Sequence, residues 1–366
     1  MSLTQSEILQ QFDALKATLR TMEQTRPAWE KPLQGKRIIL MGCGSSYTLC
    51  VSAMWMLQLR GIPAFALPAG DYIAQPEIYR QLMAGSVLVC PSRSGKTSEC
   101  VRAMALAAKE GVPCVVLVSD ADSPMAREAA ACVALPFAFD HSVCQTRNVS
   151  CFYAAFAYMA GALAGDDALL RDLAATVEEL PALFAASRPA LERLARSRAW
   201  DRVFVLADGP VAGLGQEAAL AFCEIARLPA EHKHVLDVRH GPMVLAREKS
   251  LVLMVSAKEQ NPLLPALVED FKGNAHNSAV LIVAPHAEAD MGEDLRIPIA
   301  AGRDMICAGL PMLAAVQWLA LCAAGTRGFD PDAPEGLSAW IQLKEPHVRY
   351  HFHRGHLCRL DFGSGR

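Results

Sequence analysis

Residues 86–100, SVLVCPSRSGKTSEC, carry an apolar stretch that stops at a loop made almost wholly of hydrogen-bond donors. Ser92, Ser94 and Thr97 supply hydroxyls, Arg93 and Lys96 supply cations, and Gly95 lets the backbone approach a ligand closely. A strand handing over to a helix through such a loop surrounds an anion with free N–H groups and the positive end of the helix dipole. That is the chemistry of a phosphate site. The loop is no P-loop, because Cys90 stands where G-x-x-x-x-G-K-[ST] requires glycine. Residues 42–47, Gly-Cys-Gly-Ser-Ser-Tyr, open like a dinucleotide fingerprint but place Tyr47 at its third glycine. Glu217 and Glu224 lie two turns apart on one predicted helix face, bordering the apolar stripe Leu214, Ala218, Phe222 and Ile225. A carboxylate at such a border is partly desolvated and can act as a base near neutral pH. His240 follows sixteen residues after Glu224, in Arg-His-Gly-Pro.

These residues need elements to position them, and the hydropathy pattern supplies an α/β alternation. Strands are predicted at 36–41, 64–67, 86–90 (ended by Pro91), 113–118 and 132–136, with helices between them such as 47–59. Strands alternating with helices imply a parallel sheet covered on both faces, with ligands beyond the C-terminal strand ends. Both serine-rich loops fall at that edge. Ile8, Phe12, Leu15 and Leu19 mark an amphipathic helix ahead of the first strand. Residues 166–198 form an Ala- and Leu-rich helical connector that Pro181 and Pro189 interrupt. A second α/β unit then follows, with strand VFVLA, the glycine-rich loop DGPVAGLG, helix QEAALAFCEIARL, and strands LVLMVSA and AVLIVAP. The expected division is an N-terminal helix at 1–30, one unit at 31–165, the connector at 166–198, a second unit at 199–345 and a tail at 346–366.

With 52% hydrophobic residues, 20% charged and a net charge of -3, nothing points to nucleic acid or a membrane as partner. No signal-peptide core opens the sequence and no uninterrupted apolar run reaches membrane-spanning length, so a cytoplasmic location is expected. The twelve cysteines form no C-x-x-C pair and read as buried thiols. His232 and His234, or His351, His353 and His356, keep no regular spacing with acidic or thiol partners, so neither metal nor organic cofactor is expected.

The ordered pair of loops resembles the sugar isomerase (SIS) family, in which one strand ends in Cys-Gly-(Ser/Thr)-Ser and a later one in Ser-x-Ser-Gly-x-Thr. The resemblance implies two tandem SIS domains, each a three-layer αβα, flavodoxin-like unit, over residues 5–343. It further implies that Ser45, Ser46, Ser92, Arg93 (through its backbone), Ser94 and Thr97 hold a phosphosugar's phosphate. Cys43, Gly44, Val143, Gln145 and Glu217 would line the sugar site, with Gln145 replacing a usual small hydroxyl residue. In the second unit the serine loop has become Val-Ser-Ala-Lys-Glu at 255–259. By the same resemblance Glu224 moves the C1/C2 proton and His240 assists ring opening from the partner subunit of a homodimer. The pattern is similar to the isomerase half of glucosamine-6-phosphate synthase without its glutaminase domain. Ala221 and Ala339, however, stand where that enzyme has lysines, so amine transfer from glutamine is not expected. Isomerisation, deamination or deglycation of an amino-sugar phosphate or phosphorylated fructosamine-type adduct fits better. The alternative is a non-catalytic phosphosugar sensor, for which no output module is present in the sequence.

Overall fold

The computed structural model of the chain describes residues 1–256, 261–273, 275–285, 290–343, 350–353 and 356–359. Two helices, α1 (Leu3–Gln24) and α2 (Arg26–Leu33), lead into β1 (Arg37–Gly42), α3 (Ser45–Gln58), β2 (Ala64–Pro68), α4 (Ala69–Ala74) and α5 (Pro76–Met83). The first unit continues through β3 (Ser86–Ser92), α6 (Ser98–Lys109), β4 (Cys114–Val118), α7 (Pro124–Glu128), β5 (Ala131–Ala134) and α8 (Arg147–Ala164). After the long α9 (Asp167–Ser197) come β6 (Arg202–Leu206), α10 (Ala212–Ala226), β7 (Ala230–Lys233), β8 (Ser250–Val255) and α11 (Leu264–Lys272). The second unit closes with β9 (Ala279–Pro285), β10 (Leu295–Ile299) and α12 (Gly309–Arg327).

Both five-stranded sheets are parallel throughout, ordered β2-β1-β3-β4-β5 and β10-β9-β8-β6-β7. Numbered within its own unit, the second sheet repeats the 2-1-3-4-5 order of the first. Such an order reverses direction between its first and third strands, and the crevice opens beyond their C-terminal ends. The inner strands β3, β4, β8 and β9 are buried along their whole length, as an all-parallel sheet demands. One continuous apolar core, built largely from α1, α3, α8, α9, α10 and α12, fills the space between the two sheets. Each sheet carries a separate apolar layer on its far side.

Three expectations need correction. Strand β3 runs through Pro91 to Ser92, which pairs with Val118. Pairing with β1 has already ended at Val89, so the missing Pro91 N–H leaves no ladder bond unmade. Helix α9 is unbroken despite Pro181 and Pro189. Burial of Leu180, Phe184 and Leu191 along it outweighs a cost of about 3 kcal/mol per interior proline. Helix α10 starts at Ala212, so Gly213 and Gly215 are helical rather than loop residues.

Residues 305–327 are long and apolar enough to span a membrane, with a mean hydropathy of 1.9, yet 83% of their most apolar window is buried, as in a core helix. In the tail, Tyr350–His353 pairs antiparallel with His356–Arg359. Ala257, Lys258 and Glu259, expected in place of a second serine loop, lie outside the described residues.

Candidate phosphosugar site

The Ser92–Thr97 loop and the Cys43–Ser46 loop leave the adjacent strands β3 and β1 at the switch point of the first sheet. Ser45, Ser46, Ser92, Arg93 and Ser94 are buried at 4–7% exposure. Gly44 turns the first loop at φ +52°, and Gly95 turns the second at φ +59°. Any Cβ on Gly95 would sit 2.1 Å from the Ser123 Oγ. Gly95 N–H donates to Ser92 Oγ at 3.0 Å and Lys96 N–H to Ser94 Oγ at 3.2 Å, so both hydroxyls keep their own proton for a ligand. Helices α3 and α6 start at these loops with no side-chain cap on either. Two adjacent helix N-termini therefore turn their dipole charge toward the same space, although Ser98 N–H of α6 is taken by the Ile341 carbonyl and Ser46 and Tyr47 N–H of α3 by the Cys43 and Gly44 carbonyls. Lys96 is turned to Asp120, 2.8 Å away, and stacks over Trp340.

The Arg93 side chain points away from this space. Its guanidinium donates to the carbonyls of Asp140 (3.4 Å), Ser142 (2.8 Å), Val143 (3.1 Å) and Ala339 (2.5 Å). Arg93 thus clamps three segments: its own loop, the stretch before α8 and the C-terminal strap. The strap is fixed again at the start of α6, where Ser98 N–H donates to the Ile341 carbonyl and Leu343 N–H to Ser98 Oγ. Ala339 is therefore beside the loop and brings a backbone carbonyl to Arg93. Behind the Val143–Gln145 stretch, the Glu7 carboxylate accepts from His141 and Ser142 N–H, and Asp140 accepts from Thr146 and Asn148 N–H. Burial, reinforced by Glu7, pushes the Asp140 carboxyl up to about 7. These buried acids escaped sequence reading because nothing in their spacing marks them.

The catalytic candidates come from α10, which crosses α3 at Gly213. A Cβ there would meet the Thr48 carbonyl oxygen at 2.2 Å and the Ser52 nitrogen at 2.6 Å. This close approach carries Glu217 into a fully buried position against Thr48, 2.8 Å from its Oγ1. Burial first, then the charge of Glu224, lifts the Glu217 carboxyl to about 8, against hydrogen bonds from Thr48 and Ser45. Thr48 has one hydroxyl proton and two oxygens within 2.8 Å, the Ser45 carbonyl and Glu217 Oε2. A protonated Glu217 resolves the conflict: it donates to Thr48, which donates to Ser45 and braces the first turn of α3. Thr48 was not singled out in the sequence, although a hydroxyl one turn after Ser45 is a usable signal.

Glu224 is half-buried and faces Arg93 and Cys144. Burial raises its carboxyl above the ordinary value, opposed by the Arg93 charge and a Cys144 hydrogen bond. It also lines a cleft of about 400 Å³ whose other wall is the strap at Pro334, Glu335, Gly336 and Leu337. His240 lies elsewhere: it is exposed on a loop after β7, where its backbone N–H donates to Asp237. Among the described residues no hydrogen bond joins it to Glu224 or to the serine loops. His232 and His234 are engaged by the Ala207 carbonyl and the Asp208 carboxylate, each at 2.8 Å.

The SIS domain family model matches residues 33–160 and 198–322. The chain belongs to the SIS family. It is 26% identical over 336 residues to the glutamine-fructose-6-phosphate aminotransferase of Caulobacter vibrioides, covering 84% of this chain and 52% of that protein. The chain thus spans about half the length of the curated aminotransferases it matches. A Streptomyces coelicolor protein with the provisional name D-galactosamine-6-phosphate deaminase AgaS is 28% identical, over 81% of this chain and 80% of that one. Among solved structures, the Escherichia coli tagatose-6-phosphate ketose/aldose isomerase superposes with a TM-score of 0.80 at 21% identity, covering 93% of this chain and 98% of that one. The Thermotoga maritima glucosamine-6-phosphate deaminase superposes at 0.75 with 21% identity, covering 93% and 100%. These structures establish the tandem αβα fold.

Proposed function

We propose that the chain is a phosphosugar-processing enzyme acting on an amino-sugar phosphate or a phosphorylated fructosamine-type adduct, by isomerisation, deamination or deglycation. The observation that carries this reading is the meeting of two uncapped helix N-termini and their hydroxyl loops at the switch point, with the half-buried Glu224 close by. Ser45, Ser46, Ser92, Ser94 and Thr97 donate to the phosphate oxygens, and the helix dipoles offset their charge. Glu224, its carboxyl raised above the ordinary value by burial, takes the proton from the carbon next to the carbonyl or iminium and returns it at the neighbouring carbon. Glu217, kept protonated, braces the phosphate loop through Thr48 and leaves the base role to Glu224. The family membership and the relatives' names support phosphosugar chemistry, and Ala221 and Ala339 speak against amine transfer from glutamine.

His240 fits a homodimer with shared sites. It is exposed beside Leu236, Val244 and Leu245, apolar side chains that are 41%, 63% and 47% exposed. A second copy covering this patch buries them and carries His240 of the partner subunit to the sugar ring. The test is a panel of hexose 6-phosphates, amino-sugar phosphates and phosphorylated fructosamine adducts, followed by product formation and amine or ammonia release. Turnover of an amine-bearing member supports the reading. Binding of panel members without turnover of any overturns it in favour of a sensor.

A further inference from the structure

We propose that Cys43 and Cys100 form an oxidation site whose disulfide ties the two phosphate loops together and shuts the phosphosugar site. Cys43 opens the loop that ends at α3, and Cys100 sits in the first turn of α6, just past the Ser92–Thr97 loop. Their sulfurs lie 3.8 Å apart. A disulfide needs about 2.05 Å, so the two sulfurs must close by roughly 1.8 Å. The loop can supply that movement, because Gly44 at φ +52° has open space on its Cβ side. Strand β1 is held by β2 up to Gly42 and by β3 up to Leu40, so the movement falls on the loop. A Cβ on Gly42 would lie 2.7 Å from the Ser46 backbone carbon, so the loop is already folded tightly onto its own strand end. Closing the sulfurs therefore displaces Ser45 and Ser46, the residues that the proposed function assigns to the phosphate.

Access and charge assign the roles within the pair. Cys50, Cys90 and Cys100, the neighbouring thiols, are 0–1% exposed, whereas Cys43 is half-buried. The hydrogen bond from Cys100 holds the Cys43 thiol below its ordinary value, against burial and the Glu99 charge, while the same bond and burial raise Cys100. Cys43 is thus the thiolate that meets the oxidant, and Cys100 the resolving thiol. With hydrogen peroxide as oxidant, Cys43 sulfur attacks one peroxide oxygen. An S–O bond forms, the O–O bond breaks, and hydroxide leaves and is protonated to water. Cys100, losing its proton, then attacks the Cys43 sulfur; the S–S bond forms and the S–O bond breaks, releasing a second water. Two thiols lose two electrons and one peroxide becomes two waters.

The test treats the whole 366-residue chain with stoichiometric hydrogen peroxide and maps disulfides by non-reducing peptide mass spectrometry. Hydrogen exchange of residues 43–46 and 92–97 and the affinity for glucosamine 6-phosphate are measured before and after. The expected result is a Cys43–Cys100 crosslink, slower exchange in both loops, and a loss of affinity of at least about tenfold, all reversed by dithiothreitol. In Cys100→Ser, or Cys100→Ala should that variant fold poorly, dimedone traps Cys43 as the sulfenic acid and no crosslink forms. A crosslink elsewhere, such as Cys90–Cys114, or overoxidised Cys43 without a crosslink, overturns the proposal. So does a crosslink that leaves exchange and affinity within twofold. The effect on affinity rests on the phosphosugar reading, but the crosslink and exchange do not. Reduced protein that binds no hexose phosphate sinks that reading while the loop-tying remains measured.

Discussion

Replacing Glu217 by glutamine tests the electrostatics of the buried acid behind the first phosphate loop. The carboxyl is 3% exposed and lifted to about 8, from an ordinary value of 4.5. Between those values the native protein holds a proton that the unfolded chain has lost. Stability therefore falls as pH rises through this window, by about 1.4 kcal/mol per pH unit for one group. From pH 5 to pH 7 the Glu217 contribution falls by roughly 3 kcal/mol. Glutamine has the shape of the protonated acid and keeps an N–H donor for Thr48, but it does not titrate. The variant should match the wild type near pH 5 and exceed it by about 3 kcal/mol at pH 7. Asp140, lifted to about 7, titrates in both proteins and cancels in the difference. Urea unfolding at pH 5, 6 and 7 gives the numbers. A stability difference that stays constant across this range would refute the protonated Glu217, and with it the Thr48 brace.

The double variant Ser94→Ala/Thr97→Ala should lose about 1.5–3 kcal/mol of glucosamine 6-phosphate affinity per hydroxyl, read by calorimetry; unchanged affinity removes the loop from the phosphate site. Gly213→Ala drives a methyl into the Thr48 carbonyl and should lower stability by about 1–3 kcal/mol or more, seen as a drop in melting temperature; an unshifted melt contradicts the α10–α3 contact. Mixing inactive Glu224→Gln with inactive His240→Ala should restore activity through hybrid dimers, and subunit exchange without recovery rules out a shared site. Glu224→Gln should lose roughly 10²–10⁴ in rate with phosphosugar binding intact, while chelators leave the wild-type rate unchanged. Normal C1 or C2 proton exchange in that variant assigns the chemistry elsewhere.

The serine loops, the parallel sheets and the repeat were legible because each is local: an apolar run ends, donors follow, and a helical period begins. Strands β7 and β10 were not, since AEHK and LRIPI are too short and too polar to show a period, and their neighbours in the sheet define them. The extent of β3 through Pro91 depends on where β1 stops pairing, which no window of sequence contains. The direction of the Arg93 side chain escaped for the same reason. Its four carbonyl acceptors come from residues 140–143 and 339, brought together only by the tertiary fold.

Arg93 also bears on which chemistry the site can run. An iminium pathway through the protein needs an amine that can shed its proton, and a guanidinium cannot do so in a protein. With Ala221 and Ala339 at the positions the resemblance gives to lysines, the cation acting on Glu224 is Arg93, and its donors are occupied by carbonyls. Lys96, the remaining cation of the loop, is held by Asp120 and Trp340. The Arg93 charge is set against Glu224, so the helix N-termini are left to offset the charge of a phosphate. On the proposed function the site moves a proton between adjacent carbons, and among the described residues no lysine stands at either of these two positions to carry the sugar. On that proposal, an iminium formed there uses nitrogen that arrives on the substrate, and this favours an amine-bearing sugar phosphate over a sugar phosphate awaiting ammonia.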